Sequence, residues 1–152
     1  MTIPSGTYVI TSKVNDLHVG RPLTEDRSLF PKRIVVLPQD SNNTSEIFWV
    51  VEKTEEVYIL KARGSPVAPH EGKLFADLVG ELEHKTWFIV SQPQHGENVY
   101  TVENTSDRKG WVVPHRAEEL SQVEVKPLTA TDSLPPQYPA TELFVFNLIL
   151  DD

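Results

Sequence analysis

A dozen short runs of β-branched and aromatic residues, a tyrosine-led segment that recurs three times, and the lack of any long amphipathic helix predict an all-β fold. The arrangement that fits them is a β-trefoil of twelve strands in three pseudo-repeats. The chain has 152 residues, of which 39% are hydrophobic and 24% charged, so it is expected to fold unaided as one domain, 1–152. The recurrence divides that domain at approximately 5–53, 54–95 and 96–152.

Strands are expected at 7–11, 17–22, 33–38 and 47–52 in the first unit, and at 57–62, 66–68, 74–79 and 86–91 in the second. Those of the third unit fall at 99–103, 110–114, 123–127 and 143–150. Clusters of Gly, Pro, Asn, Asp and Ser separate them, residues that tolerate turn geometry or bond their own backbone. Residues 116–120 follow a proline and run barely more than a turn, so they are expected as helical decoration on a connection. Tyr8, Tyr58 and Tyr100 open corresponding segments, and Leu17, Val67 and Trp111 begin the strands that follow. Each unit closes on an aromatic strand, and Phe48, Trp87 and Phe144 are the expected core residues. Three such units close a barrel without a free edge.

Composition narrows the function. The chain has no cysteine, which excludes a disulfide framework or a thiolate site and fits a reducing compartment. A net charge of -8 opposes binding to nucleic acid or an anionic membrane. Residues 1–6 lack a basic region followed by an apolar core, so a cytoplasmic protein is expected, and a monomer is expected with it. No nucleophile elbow, phosphate-cradling glycine loop or His-Glu-x-x-His helix is present, and the expectation is no catalysis and no cofactor. His70 and His84 have acidic neighbours but no second histidine at ligand spacing, so no metal is expected either. The sequons at Asn42, Asn43 and Asn104 read as turn chemistry.

In a closed barrel, function belongs to the loops. The most informative one runs from Pro22 to Pro31 and contains Thr24, Glu25, Asp26, Arg27, Ser28 and Leu29. Its two prolines restrict the intervening backbone, and Arg27-Ser28 is the dipeptide that a protease cutting after arginine requires. On the residues alone, an arginine after Glu25 and Asp26 reads first as a solvated side chain, and Lys53, Arg63, Arg108 and Lys109 are rivals. Sugar stacking has one candidate, Trp111 near Asn104 and Asp107. It reads first as core, and the Gln-x-Trp repeat of sugar-binding barrels is missing.

The opening Ser5-Gly6-Thr7-Tyr8, the missing cysteine, the length, the aromatic fourth strands and Arg27 between strands two and three carry a resemblance. Over essentially its whole length the chain resembles the cospin-like fungal β-trefoil serine protease inhibitors. The resemblance implies that trypsin-like serine proteases are the partner. Arg27 then enters the primary pocket, Ser28 follows the targeted bond, and Thr24, Glu25, Asp26 and Leu29 complete the protease-binding loop. It also implies a cytoplasmic protein of fruiting bodies that defends against feeding animals. Asp26 departs from a simple substrate mimic, because an acidic neighbour weakens the positive potential at Arg27. Two alternatives stay open. One is inhibition of papain-like cysteine proteases, which related trefoils achieve with glycine-containing loops, although this chain has no Gly-Gly pair. The other is a carbohydrate-binding lectin.

Overall fold

The computed structural model describes residues 2–151. The first part of the chain forms β1 (Gly6–Ser12), β2 (Val19–Gly20), β3 (Lys32–Arg33), β4 (Val35–Val36), the short helix α1 (Thr44–Ile47) and β5 (Phe48–Thr54). The second forms β6 (Val57–Ala62), β7 (Ser65–His70), β8 (Lys73–Ala76) and β9 (Trp87–Ser91). The third forms β10 (Val99–Asn104), β11 (Gly110–Val112), β12 (Glu124–Lys126) and β13 (Phe144–Asp151), with 3-10 turns at Pro93–His95 and Ala140–Glu142.

Antiparallel pairing closes a ring: β1 with β5, β5 with β6, β6 with β9, β9 with β10, β10 with β13, and β13 back to β1. Closure leaves these strands no free edge. The β7–β8 and β11–β12 pairs and the small β2–β4 sheet form the hairpin layer over one end. Alternation along β6 shows how the sequence sets the faces: Tyr58, Leu60 and Ala62 point inward, while Val57, Ile59 and Lys61 are partly exposed.

Aromatic side chains fill both ends of the barrel. At the hairpin layer, the Trp111 ring lies 5.5 Å from Trp49, 5.9 Å from Trp87 and 5.7 Å from Phe144, all four fully buried. The Trp49 indole N–H donates to the Val19 carbonyl at 2.8 Å, and the Trp87 indole repeats this to Val67 at 3.1 Å. Phe144 takes the corresponding place in the third unit and has no N–H to donate. Trp111 Nε1 is itself buried without a hydrogen-bond partner among the described residues. At the opposite mouth, Tyr8 and Tyr100 stack edge-on against Phe146, and the Tyr58 hydroxyl donates to the Ile3 carbonyl at 2.8 Å.

The structure corrects several expectations. Phe48 is half-buried, and its neighbour Trp49 is the core residue, because the pleat that pairs Tyr8 with Trp49 turns Phe48 away. Residues 116–120 form turns without a helix; Arg116 and Leu120 have positive φ, 67° and 69°, which breaks any helical run. The second strand shrinks from 17–22 to Val19–Gly20, and the third begins at Lys32 and divides around Ile34. Helix α1 was not anticipated. Asn43 caps it by accepting the Ser45 N–H at 2.9 Å, which is turn chemistry of the kind expected there. Asn104 acts likewise toward the Ser106 N–H at 3.0 Å. Gly20 is required where α1 meets β2, since a Cβ there would sit 2.0 Å from the Glu46 carbonyl oxygen.

Candidate functional site

The early end of β2 releases Arg21 and Pro22 to begin the long connection to β3, and both are buried at its base. Arg21 forks onto Glu25, with Nε to Oε2 at 2.6 Å and a terminal nitrogen to Oε1 at 2.9 Å, and also donates to the Ala62 carbonyl at 3.2 Å. This two-pronged, largely buried ion pair is of the strong kind. Arg63 lies in the two-residue turn between β6 and β7, where it and Gly64 have φ of 47° and 80°. That turn aims the Arg63 guanidinium under the loop, where it donates to the carbonyls of Arg21 (2.7 Å), Ser45 (2.9 Å) and Pro22 (3.0 Å). It also approaches Glu25 at 3.3 Å. Helix α1 contributes Glu46, whose carboxylate accepts the Leu23 N–H at 2.9 Å.

A second brace spans the loop's far side. Lys32, in register with Ala76 of β8 and only 6% exposed, sends its ammonium to the Asp26 carboxylate, to the Asp26 carbonyl (3.2 Å) and to Ser28 Oγ (3.2 Å). Asp26 Oδ1 also accepts the Ser28 N–H at 2.9 Å and the Ser28 hydroxyl at 2.6 Å, and Ser28 Oγ accepts the Phe30 N–H at 3.3 Å. The two adjacent acidic residues are thus divided between two anchors. Glu25 turns inward to the arginines, and Asp26 turns across the loop to Lys32.

Between the anchors stands Arg27. It is exposed, and among the described residues its side chain has no hydrogen bond or ion pair. Thr24 and Leu29 are exposed beside it, and Ser28 is half-buried by its own contacts. The rival cations are differently placed. Arg63 is part of the loop's support, Lys53 Nζ donates to Thr2 Oγ1 at 3.2 Å, and Lys109 lies 4.0 Å from Asp107. Arg108 pairs with Glu103 at 2.9 Å and covers the Phe88 ring at 4.6 Å. Trp111, the one candidate for sugar stacking, is fully buried and cannot meet a sugar ring.

The electrostatics of the second brace give a measurable signature. The Lys32 ammonium first, then the Ser28 hydroxyl and N–H, hold the Asp26 carboxyl at about 2, below its ordinary 3.8. A carboxylate lowered by folding keeps its contacts above its unfolded value and loses them as pH falls through the folded one. The brace therefore holds until pH approaches about 2. Replacement Lys32→Met is expected to raise the Asp26 midpoint, followed by carboxyl NMR, toward 3.8; an unmoved midpoint removes Lys32 as the cause.

A barrel capped by a hairpin layer, with a loop fixed at both flanks around an exposed arginine, defines a β-trefoil binding protein. Comparisons with known proteins agree. Residues 1–148 match the family described as Peptidase inhibitor I66. The chain is 38% identical over 143 residues to a "Serine protease inhibitor" of Lentinula edodes, covering 94% of this chain and 96% of that one. A solved proteinase inhibitor of Coprinopsis cinerea superposes with a TM-score of 0.92 at 64% identity, over 97% of this chain and 100% of the other. The Macrolepiota procera ricin B-like lectin, solved with lactose, shares the fold alone, with a TM-score of 0.66 at 13% identity over 98% of this chain and 99% of that one. The chain belongs to the I66 family of peptidase inhibitors, and it is an inhibitor rather than an enzyme.

Proposed function

We propose that this protein inhibits trypsin-like serine proteases by offering the loop between β2 and β3 as a substrate, with Arg27 entering the primary pocket. The observation that carries this reading is an exposed arginine, without a hydrogen bond or ion pair among the described residues, between two ion-paired anchors. An exposed arginine matches an acidic primary pocket by charge-assisted hydrogen bonding. Leu29 and Phe30, 66% and 72% exposed, follow it and supply apolar area on the leaving-group side. Because the braces order the loop before contact, little conformational freedom is lost on docking, which favours a long-lived complex. The names of the Lentinula and Coprinopsis relatives support protease inhibition. A cytoplasmic, monomeric, single-domain protein is part of the same reading, in keeping with a chain that has no cysteine.

Titration of trypsin with the purified protein tests this. Activity is expected to fall linearly to an equivalence point near one inhibitor per enzyme, while papain is unaffected. Undiminished trypsin activity at excess protein ends the proposal, and loss of papain activity instead moves the function to the cysteine protease class.

A further inference from the structure

Contacts that bridge the Arg27–Ser28 bond converge on one pair of side chains. Asp26 lies on the acyl side of that bond and Ser28 on the amine side, and Asp26 Oδ1 takes both the N–H and the hydroxyl of Ser28. Lys32 joins the two sides again, through the Asp26 carbonyl and Ser28 Oγ, from a buried position fixed by the β3–β8 ladder. Severing the 27–28 peptide breaks none of these contacts. We infer that Asp26, held by Lys32, is a positioning residue that retains the Ser28 amine after cleavage and so drives resynthesis of the bond. This rests on the assignment of Arg27-Ser28 as the reactive dipeptide.

The chemistry defines what Asp26 must do. In acylation, the protease serine oxygen bonds to the Arg27 carbonyl carbon and the Arg27 C–Ser28 N bond breaks. The serine proton passes through the enzyme's histidine to the Ser28 nitrogen. The resulting ester has two fates. Attack by water leaves an Arg27 carboxylate and frees the enzyme. Attack by the Ser28 amine restores the peptide bond and returns a proton through the histidine to the serine oxygen. The second fate wins only if the amine stays in reach, and an intramolecular nucleophile held in place has a large advantage over one that has drifted away. The Asp26 carboxylate already accepts from that nitrogen at 2.9 Å in the intact loop. The Lys32 charge beside it restrains the carboxylate from fixing the amine as an unreactive ammonium. Asp26 therefore acts on the partition between resynthesis and hydrolysis, beyond any effect on docking.

The test follows, by mass spectrometry, how fast 27–28-cleaved inhibitor accumulates from intact protein with catalytic trypsin and how fast the bond re-forms from purified cleaved protein. Parent protein, Asp26→Ala and Asp26→Asn are compared, each checked for native thermal unfolding. Intact parent is expected to accumulate the cleaved form slowly, and purified cleaved parent is expected to re-form the bond. Asp26→Ala should raise the initial rate of net cleavage by about tenfold or more, the scale of one lost hydrogen bond to a charged group. Inhibition by that variant should then be temporary. Asp26→Asn keeps an acceptor for the Ser28 N–H and should fall between the two. An unchanged cleavage rate in Asp26→Ala, with the cut still mapping to 27–28, overturns the role of Asp26 while leaving the reactive bond in place. A cut mapping to any other bond overturns both.

Discussion

Arg27→Glu is expected to raise the trypsin inhibition constant by at least about a thousandfold, equivalent to ~4 kcal/mol, the range of a strong interface hot spot. Two effects add. The protease's pocket carboxylate loses its buried partner, and a like charge is forced toward it. Since the Arg27 side chain is exposed and makes no hydrogen bond or ion pair among the described residues, the unfolding transition should not move. Arg27→Lys keeps the positive charge and should retain most of the inhibition. If the glutamate variant inhibits as the parent does, Arg27 is not the primary-pocket residue, and Arg33, exposed in β3, is the next residue to change.

Trp111→Ala is expected to cost about 3–5 kcal/mol of stability in urea unfolding, because it empties the centre of the hairpin layer against Trp49, Trp87 and Phe144. Trp111→Phe should cost far less. The indole N–H of Trp111 has no partner among the described residues, so the smaller ring loses area but no hydrogen bond. A loss below about 1 kcal/mol for the alanine variant would mean that the surrounding rings collapse into the gap, and that they rather than Trp111 hold the layer.

Much of the barrel was legible because its signals are local. Tyr8, Tyr58 and Tyr100 recur at matching places and are all buried, and Trp87 and Phe144 stand inward as expected. Phe48 failed for a definite reason. Phe48-Trp49-Val50-Val51 is a continuous apolar run, so no alternation tells which aromatic faces inward, and only pairing with β1 decides. Helix α1 is too short for any hydrophobic period to reveal it.

The loop divides similarly. Its prolines, its length and the Arg27-Ser28 dipeptide can be read along the chain. Its supports cannot, since Arg63 reaches Arg21 and Pro22 from some forty residues away. One sign of the support is local: Asp26-Arg27-Ser28 has the spacing at which an aspartate accepts the N–H two residues on. Read that way, Asp26 organises the loop. Read only as a charge, it weakens the positive potential of the site, an effect that Lys32 offsets.

The loop is tensioned by carboxylates, guanidinium groups and one ammonium, and the chain has no sulfur bridge anywhere. A recognition loop cross-linked through cystine slackens when a thiol reductant opens the link. Here glutathione has nothing to cut, so the contact surface keeps its shape whether the surroundings are oxidising or rich in thiols.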